Sequence, residues 1–270
     1  GTCLNRGCIP TKTLLHTAEL YREVSGACAV GLETENLRCN MAQLQARKNA
    51  VVEQLRGGIA SLMKANKVTV IQGSASIVDS GRVRVEPDGT ELETEHILIA
   101  TGSTPKVFSL GDDDRVYTAA QVLLGEKDCG RETVVVGGGL VGCETALWLA
   151  QHGKKVTIVE TLDGLMAANG PLCHANRDML EALLPFQGVT VVTGAEVKCY
   201  RNGVLSLAAA GRGREIPCDS VILAVGYREE DSLYRELEFD VPELYLLGDA
   251  RKVSNIMYAI WDAFEVANHI

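Results

Sequence analysis

Apolar positions in this chain follow two rhythms. Recurring every third or fourth residue, Leu14, Leu15, Ala18 and Tyr21 predict a helix from Pro10 to about Val24 that stops near Gly26. Met41, Leu44, Val51, Val52, Leu55, Ile59, Leu62 and Met63 predict a second, capped by Asn40, running to about Lys64 and weakened in its middle by Gly57 and Gly58. Its stripe is expected to pack onto its own domain rather than to meet a partner. Elsewhere the apolar residues run together and predict buried strands: Val68 to Gln72, His96 to Ala100, Val134 to Val136, Val156 to Val159, Val189 to Val192, Ser220 to Val225 and Leu244 to Leu247. Asp88-Gly89 and Asn202-Gly203 are hairpin turns. A helix from Arg177 to Leu184 is expected to end at Pro185, and Ser103 to Asp114, with its acidic GDDD, reads as a linker.

Strands alternating with helices give an α/β class. The run into Ala100-Thr101-Gly102 is echoed by the run into Gly226, each after a hairpin. This repetition predicts two Rossmann-like dinucleotide-binding domains, each a parallel sheet with helices plus a small antiparallel meander. The expected division is residues 1–115 for a partial first domain, 116–225 for a complete second one, and 226–270 for a return to the first.

The complete unit holds the densest chemistry. Val134 to Glu160 reads VVVGGGLVGCETALWLAQHGKKVTIVE. Gly137 suits a turn too tight for a Cβ, Gly139 lets backbone approach a pyrophosphate, and Gly142 lets the helix lie close to the strand. The helix from about Leu140 to His152 would aim its positive end at the phosphates. Glu160 ends the next strand, where a carboxylate can accept from both ribose hydroxyls, favouring NAD over NADP. A purely structural glycine turn is the competing reading. Gly248-Asp249, after the strand from Leu244, offers a second carboxylate that reads either as a cofactor ligand or as an acidic turn.

Charge narrows the partners. With 35 acidic against 26 basic residues the net charge is −9, which argues against a nucleic-acid partner. No apolar run reaches the roughly 18 residues of a membrane span. The chain begins at Gly1 rather than Met, so a fragment is expected. Seven of nine cysteines (Cys28, Cys39, Cys129, Cys143, Cys173, Cys199, Cys218) lack metal-ligand spacing and are expected to be buried or half-buried thiols of a cytoplasmic protein, with no metal site.

Cys3 and Cys8 differ. In GTCLNRGCIPTK, Gly7 and Pro10 place them at a helix start, where a thiolate is stabilised. Spacing alone allows a redox pair, two unrelated cysteines or half of a metal site. The segment, with Leu4, Asn5, Ile9, Pro10 and Thr11, resembles the active-site motif of dihydrolipoamide dehydrogenase in the FAD-dependent pyridine nucleotide-disulfide oxidoreductases. That resemblance implies that Cys3 is the interchange thiol, that Cys8 lies against the flavin, and that Lys12 and Glu144 pair beside the flavin N5. It further implies FAD binding by the first domain, with Ala100, Thr101, Gly102, Gly226 and Gly248 among the cofactor-binding residues and Asp249 on the ribityl chain.

The likeness is greatest up to about Pro105. Beyond Thr101, the GGGLVGCE unit, GPLCHANRDML and the final LLGDARKVSNIMYAIWDAFEVANHI are more similar to the carboxyl-terminal half of enoate and dienoyl-CoA reductases. Measured against these two resemblances, three parts are expected to be missing: the amino-terminal strand-glycine-helix that holds the FAD adenosine; the dimerisation domain with its histidine–glutamate pair; and the barrel, FMN site and iron-sulfur cysteines of the enoate reductase group. None of His16, His96, His152, His174 or His269 has the matching context, so the chain alone is expected to be inactive. The implied function is electron transfer between NAD(H), FAD and a Cys3/Cys8 disulfide, with a small-molecule or lipoyl-domain dithiol as substrate and a homodimeric parent. Alternatives are an NADH-oxidising flavin module of an enoate reductase and a non-enzymatic nucleotide-binding remnant.

Overall fold

The computed structural model describes every residue except Gly1, Gly7, residues 168–173 and Ala210, together with all side chains but those of Thr2, Arg6, Asp113, His174 and Ala175 among the rest. In chain order the elements are α1 (Thr2–Arg6), α2 (Cys8–Ser25), α3 (Met41–Ala65), β1 (Ser74–Asp79), β2 (Arg82–Glu86), β3 (Thr90–Glu93), β4 (Ile97–Ile99), β5 (Ser103–Pro105), β6 (Val116–Thr118) and α4 (Ala119–Leu123). Then follow β7 (Glu132–Val136), α5 (Leu140–Gln151), β8 (Lys155–Val159), α6 (His174–Phe186), β9 (Thr190–Val192), β10 (Ala195–Arg201), β11 (Val204–Ala209), β12 (Arg212–Pro217), β13 (Ser220–Leu223), β14 (Tyr227–Glu229), α7 (Ser232–Leu237), β15 (Leu244–Leu246) and α8 (Ile256–Ala267).

The chain divides into two compact units, residues 1–55 with 105–226, and residues 56–104 with 227–270. The first is built on a parallel sheet of order β6-β13-β7-β8-β9. Its central strands are buried on both faces, with Val135, Ile158, Val221 and Ile222 each 0–1% exposed. That is why they read as continuous apolar runs rather than alternating ones. One face is covered by α5 and α6, and α2 adds Leu14 and Leu15 to the same core. On the other face Tyr200, Leu205 and Leu207 of the β10-β11-β12 meander pack on Val134, Val136 and Val221. Each such fully buried side chain contributes about 1.5–3 kcal/mol.

The second unit carries the parallel pair β4-β15 and the antiparallel meander β1-β2-β3. Ile97 and Ile99 alternate with exposed Leu98, and pack with Val241 and Leu244. The α/β class, with parallel strands, helices and small meanders, is therefore as the alternating pattern predicts.

Several local expectations are corrected. Val68 to Gln72 is not a strand: no neighbour pairs with it among the described residues, and Val68, Val70 and Ile71 stay exposed. A strand needs a ladder as well as β-branched residues. Helix α6 passes through Pro185, forgoing the one N–H bond that proline cannot make; the stop is Gly188, whose left-handed backbone (φ 72°) lets Val189 N–H reach Leu184 O. The expected linker opens with β5, which pairs with β14. On α3, capped by Asn40 Oδ1 accepting from Gln43 N–H, only Leu44, Lys48 and Val52 are buried, while Met41, Leu55, Ile59 and Leu62 face solvent.

Candidate active site

In the first unit, the turn between β7 and α5 is dictated by contacts that a side chain would break. Gly137 has φ 105°, and a Cβ there would lie 2.5 Å from Ala224 O at the end of β13. A Cβ on Gly142 would collide with Gly137 O. Gly139 precedes α5 without offering a side-chain cap, and no acidic residue occupies the first turn. The positive helix end is thus electrostatically suited to phosphate. Gly226, at φ 91° after β13, lies in the same unit.

Glu160 directly follows β8 and is held at both oxygens. Oε2 accepts from Gly138 N–H at 2.5 Å and Oε1 from Leu162 N–H at 2.8 Å. Each carboxylate oxygen has two lone pairs, so one on each remains for a ribose hydroxyl. These backbone bonds, and the inward fold of residues 161–167 that makes them, were invisible in the sequence. Only the acidic residue after an apolar strand gave a signal.

Cys3 on α1 and Cys8 at the start of α2 form a disulfide with Cα atoms 4.7 Å apart. Half a turn beyond Pro10, Lys12 Nζ reaches Glu144 Oε1 of α5 at 3.0 Å. The lysine side chain is 55% exposed and the glutamate 13%. A lysine dependent on its partner because of its own burial is therefore not what the fold provides; the desolvated member is Glu144. Cys3, Cys8, Lys12, Glu144 and the glycine turn all belong to one unit.

The remaining cysteines sort by burial. The Cys143 thiol, fully buried and donating to Gly138 O, is pushed up to about 12, mainly by burial and then by the Glu160, Glu144 and Glu181 charges. Burial likewise pushes Cys218 up to about 11 and raises Cys129. Cys199 is partly buried, but Cys28 and Cys39 are exposed, contrary to expectation, because the segment from Ala27 to Asn40 is largely solvated. Cys173 lies outside the described residues. Among the described residues no cluster of His, Cys, Asp or Glu could hold a metal ion, and no helix is long and apolar enough to cross a membrane. His16 sits 4.0 Å from Glu19 one helical turn on.

The family model for pyridine nucleotide-disulphide oxidoreductases matches residues 1–263. The chain belongs to that family. Its members are FAD-dependent oxidoreductases that bind FAD and NAD(P). A cinnamate reductase of Clostridium sporogenes is 46% identical over 180 residues, covering 67% of this chain and 27% of that protein. A dihydrolipoyl dehydrogenase of Acholeplasma laidlawii is 30% identical over 270 residues, covering 97% of this chain and 79% of its own. The fold is also that of an HOCl-induced flavoprotein disulfide reductase from Escherichia coli, with TM-score 0.72 at 23% identity, over all of this chain and 62% of that one.

Within this pyridine nucleotide-disulphide oxidoreductase chain, the other expected cofactor residues lie in the second unit. Ala100, Thr101 and Gly102 follow β4, and Gly248 and Asp249 follow β15, so both groups stand at carboxyl ends of parallel strands, where ligands of such sheets bind. Leu247 N–H donates to Ile99 O at 2.9 Å, tying the two strand ends together. Asp249 accepts from Ser103 Oγ at 3.2 Å and from Ser254 N–H at 3.1 Å, which fixes the carboxylate. Thr101 Oγ donates to Glu230 O and Glu230 N–H to Gly102 O, fastening the turn after β4.

Proposed function

We propose that this chain is the central part of an NAD-dependent flavoprotein disulfide oxidoreductase of the dihydrolipoyl dehydrogenase type. The observation that carries the reading is the Cys3–Cys8 disulfide at the head of α2, on the same helix as the lysine that pairs with Glu144 of the dinucleotide helix.

Gly137, Gly139 and Gly142 would admit the NAD pyrophosphate, and Glu160 would take the adenosine ribose. Because Glu160 is held by two backbone N–H groups it cannot swing aside for a 2′-phosphate, which supports NAD over NADP. Gly226 would border the nicotinamide half. Ala100, Thr101, Gly102, Gly248 and Asp249 would hold FAD, with Asp249 accepting from a cofactor hydroxyl. Bound flavin supplies the two-electron relay between thiols and pyridine nucleotide.

Cys3, half-buried on α1, is assigned to exchange with the substrate. A dithiol attacks the disulfide, the substrate leaves as its own disulfide, and two electrons remain on Cys3 and Cys8 as thiols. Cys8, at the amino end of α2, is stabilised as a thiolate by the helix dipole and is assigned to pass those electrons on. The Lys12–Glu144 pair would hold the Lys12 ammonium in a fixed position near the head of the redox helix. A small-molecule or lipoyl-domain dithiol, and a homodimeric parent in the cytoplasm, complete the reading.

Full-length protein reconstituted with FAD and reduced by NADH tests it by thiol counting. Two new thiols with a charge-transfer absorbance are expected. Similarity to the Clostridium sporogenes cinnamate reductase favours a second reading, an NADH-oxidising flavin module of an enoate reductase-like enzyme. Flavin bleaching without new thiols would decide for that reading.

A further inference from the structure

Residues 161–167 fold back over the glycine turn and are tied there from a third element. Met166 N–H donates to Gly138 O at 2.7 Å, while Gly138 N–H donates to Glu160 Oε2. Leu165 covers the same glycine: a Cβ on Gly138 would sit 2.6 Å from Leu165 Cδ2. Met166 itself is 1% exposed and holds φ 55°, an uncommon backbone for a residue with a long side chain. Something must hold it there. Arg177, on the first turns of α6, donates from Nη2 to Met166 O at 3.2 Å.

This bond has a cost that packing does not explain. Arg177 Nε is buried without a hydrogen-bond partner among the described residues. A buried, unpaired donor is unfavourable, and an apolar side chain of similar length would avoid it.

We infer that Arg177 is a positioning residue for the adenosine half of the bound dinucleotide, acting through Met166 on Gly138 and Glu160. The inference rests on the dinucleotide reading proposed above and extends it to a residue that touches neither the turn nor the nucleotide. By clamping Met166 O, Arg177 fixes the loop whose Leu162 and Met166 N–H groups set the Glu160 carboxylate and the Gly138 peptide. Loosening the clamp lets the carboxylate rotate away from the ribose without altering the nicotinamide half.

Calorimetry on the 270-residue chain with ADP-ribose, and separately with nicotinamide mononucleotide, tests this in Arg177→Met and Arg177→Lys. Arg177→Met should bind ADP-ribose roughly 3- to 10-fold more weakly, with nicotinamide mononucleotide unchanged and a thermal midpoint no lower than that of the unsubstituted chain. Arg177→Lys, which keeps a donor for Met166 O, should recover part of the loss. Unchanged ADP-ribose binding in Arg177→Met overturns the inference alone. So does equal weakening in both variants with a lowered midpoint, the signature of general structural damage. Failure of the unsubstituted chain to bind either ADP-ribose or NADH overturns the dinucleotide reading as well.

Discussion

Lys12 and Glu144 are 132 residues apart in sequence, yet Nζ and Oε1 meet at 3.0 Å. The contact joins the helix that begins with the disulfide to the helix that begins with the glycine turn. Its two members are unequal, since the carboxylate is largely shielded and the ammonium is not. An exposed pair contributes little to stability, typically 0–1 kcal/mol. As a fixed contact between α2, which begins with Cys8, and α5, this one is expected to matter for orientation rather than for stability.

Removing the lysine should strand the shielded carboxylate, so Lys12→Met is expected to slow flavin reduction by NADH about tenfold, equivalent to about 1.4 kcal/mol of barrier. NADH affinity should change less than twofold. Stopped-flow reduction of the FAD-loaded full-length protein measures both. A reduction rate equal to that of the unsubstituted enzyme would detach the pair from the chemistry.

Thiol reactivity should follow burial. In the native oxidised chain an aromatic disulfide reagent at pH 8 should titrate the exposed Cys28 and Cys39 at once, and leave Cys129, Cys143 and Cys218 untouched until denaturant is added. Mild dithiol reduction should add two fast thiols, lost together in Cys3→Ser/Cys8→Ser. Appearance of one new thiol, or none, would contradict the redox pair.

Alkaline stability carries a further signature. A thiol ionises near 9.0 in the unfolded chain, whereas native Cys143 is held protonated to about 12. Between those values the unfolded chain binds fewer protons, so native stability is intact below pH 9 and falls as pH rises. Once well above pH 9 the loss approaches about 1.4 kcal/mol per pH unit for each such thiol. Denaturant unfolding at pH 8, 9 and 10 should show a shallower decline in Cys143→Ala; parallel declines would mean that Cys143 is not the source.

How far the sequence carried this depends on the kind of interaction. Four strands of the five-stranded sheet were legible because doubly buried strands must be largely apolar, as Val134 to Val136 and Val221 to Leu223 are; the short edge strand β6, Val116 to Thr118, gave no such run. The glycine turn was legible too, where a Cβ is excluded by Ala224 O and Gly137 O. Val68 to Gln72 misled because strand propensity says nothing about whether a partner strand is present. Solvation of Leu55, Ile59 and Leu62 was equally hidden, since an apolar stripe records a capacity to pack and not the surface it meets. Lys48, buried between Leu44 and Val52, and the left-handed Met166 leave no pattern at all. Arg177 escaped for the same reason: its partner is a backbone carbonyl, which any residue possesses.

Glu160 supports the last prediction. Both of its oxygens accept backbone N–H groups, from Gly138 and Leu162, while each keeps a lone pair for the ribose. Glutamine is nearly isosteric but carries one oxygen and one NH2 group. Whichever way the amide is turned, its NH2 faces a backbone N–H, and one of the two donors is left unpaired. Such a loss typically costs about 1–3 kcal/mol. Glu160→Gln should therefore weaken NADH binding about as much as Glu160→Ala, by roughly 1–3 kcal/mol, despite keeping the shape. The two variants should differ in discrimination from the unsubstituted chain in the same direction, because both remove the negative charge that opposes a 2′-phosphate. NADPH affinity should hold or rise while NADH affinity falls, so the preference for NADH shrinks by about tenfold, or about 1.4 kcal/mol. Fluorescence titration of the chain with both nucleotides measures this. A glutamine variant that binds NADH like the unsubstituted chain would show that the two backbone bonds do not hold the ribose site, and equal NADH and NADPH affinity before any substitution would remove Glu160 as the discriminating group.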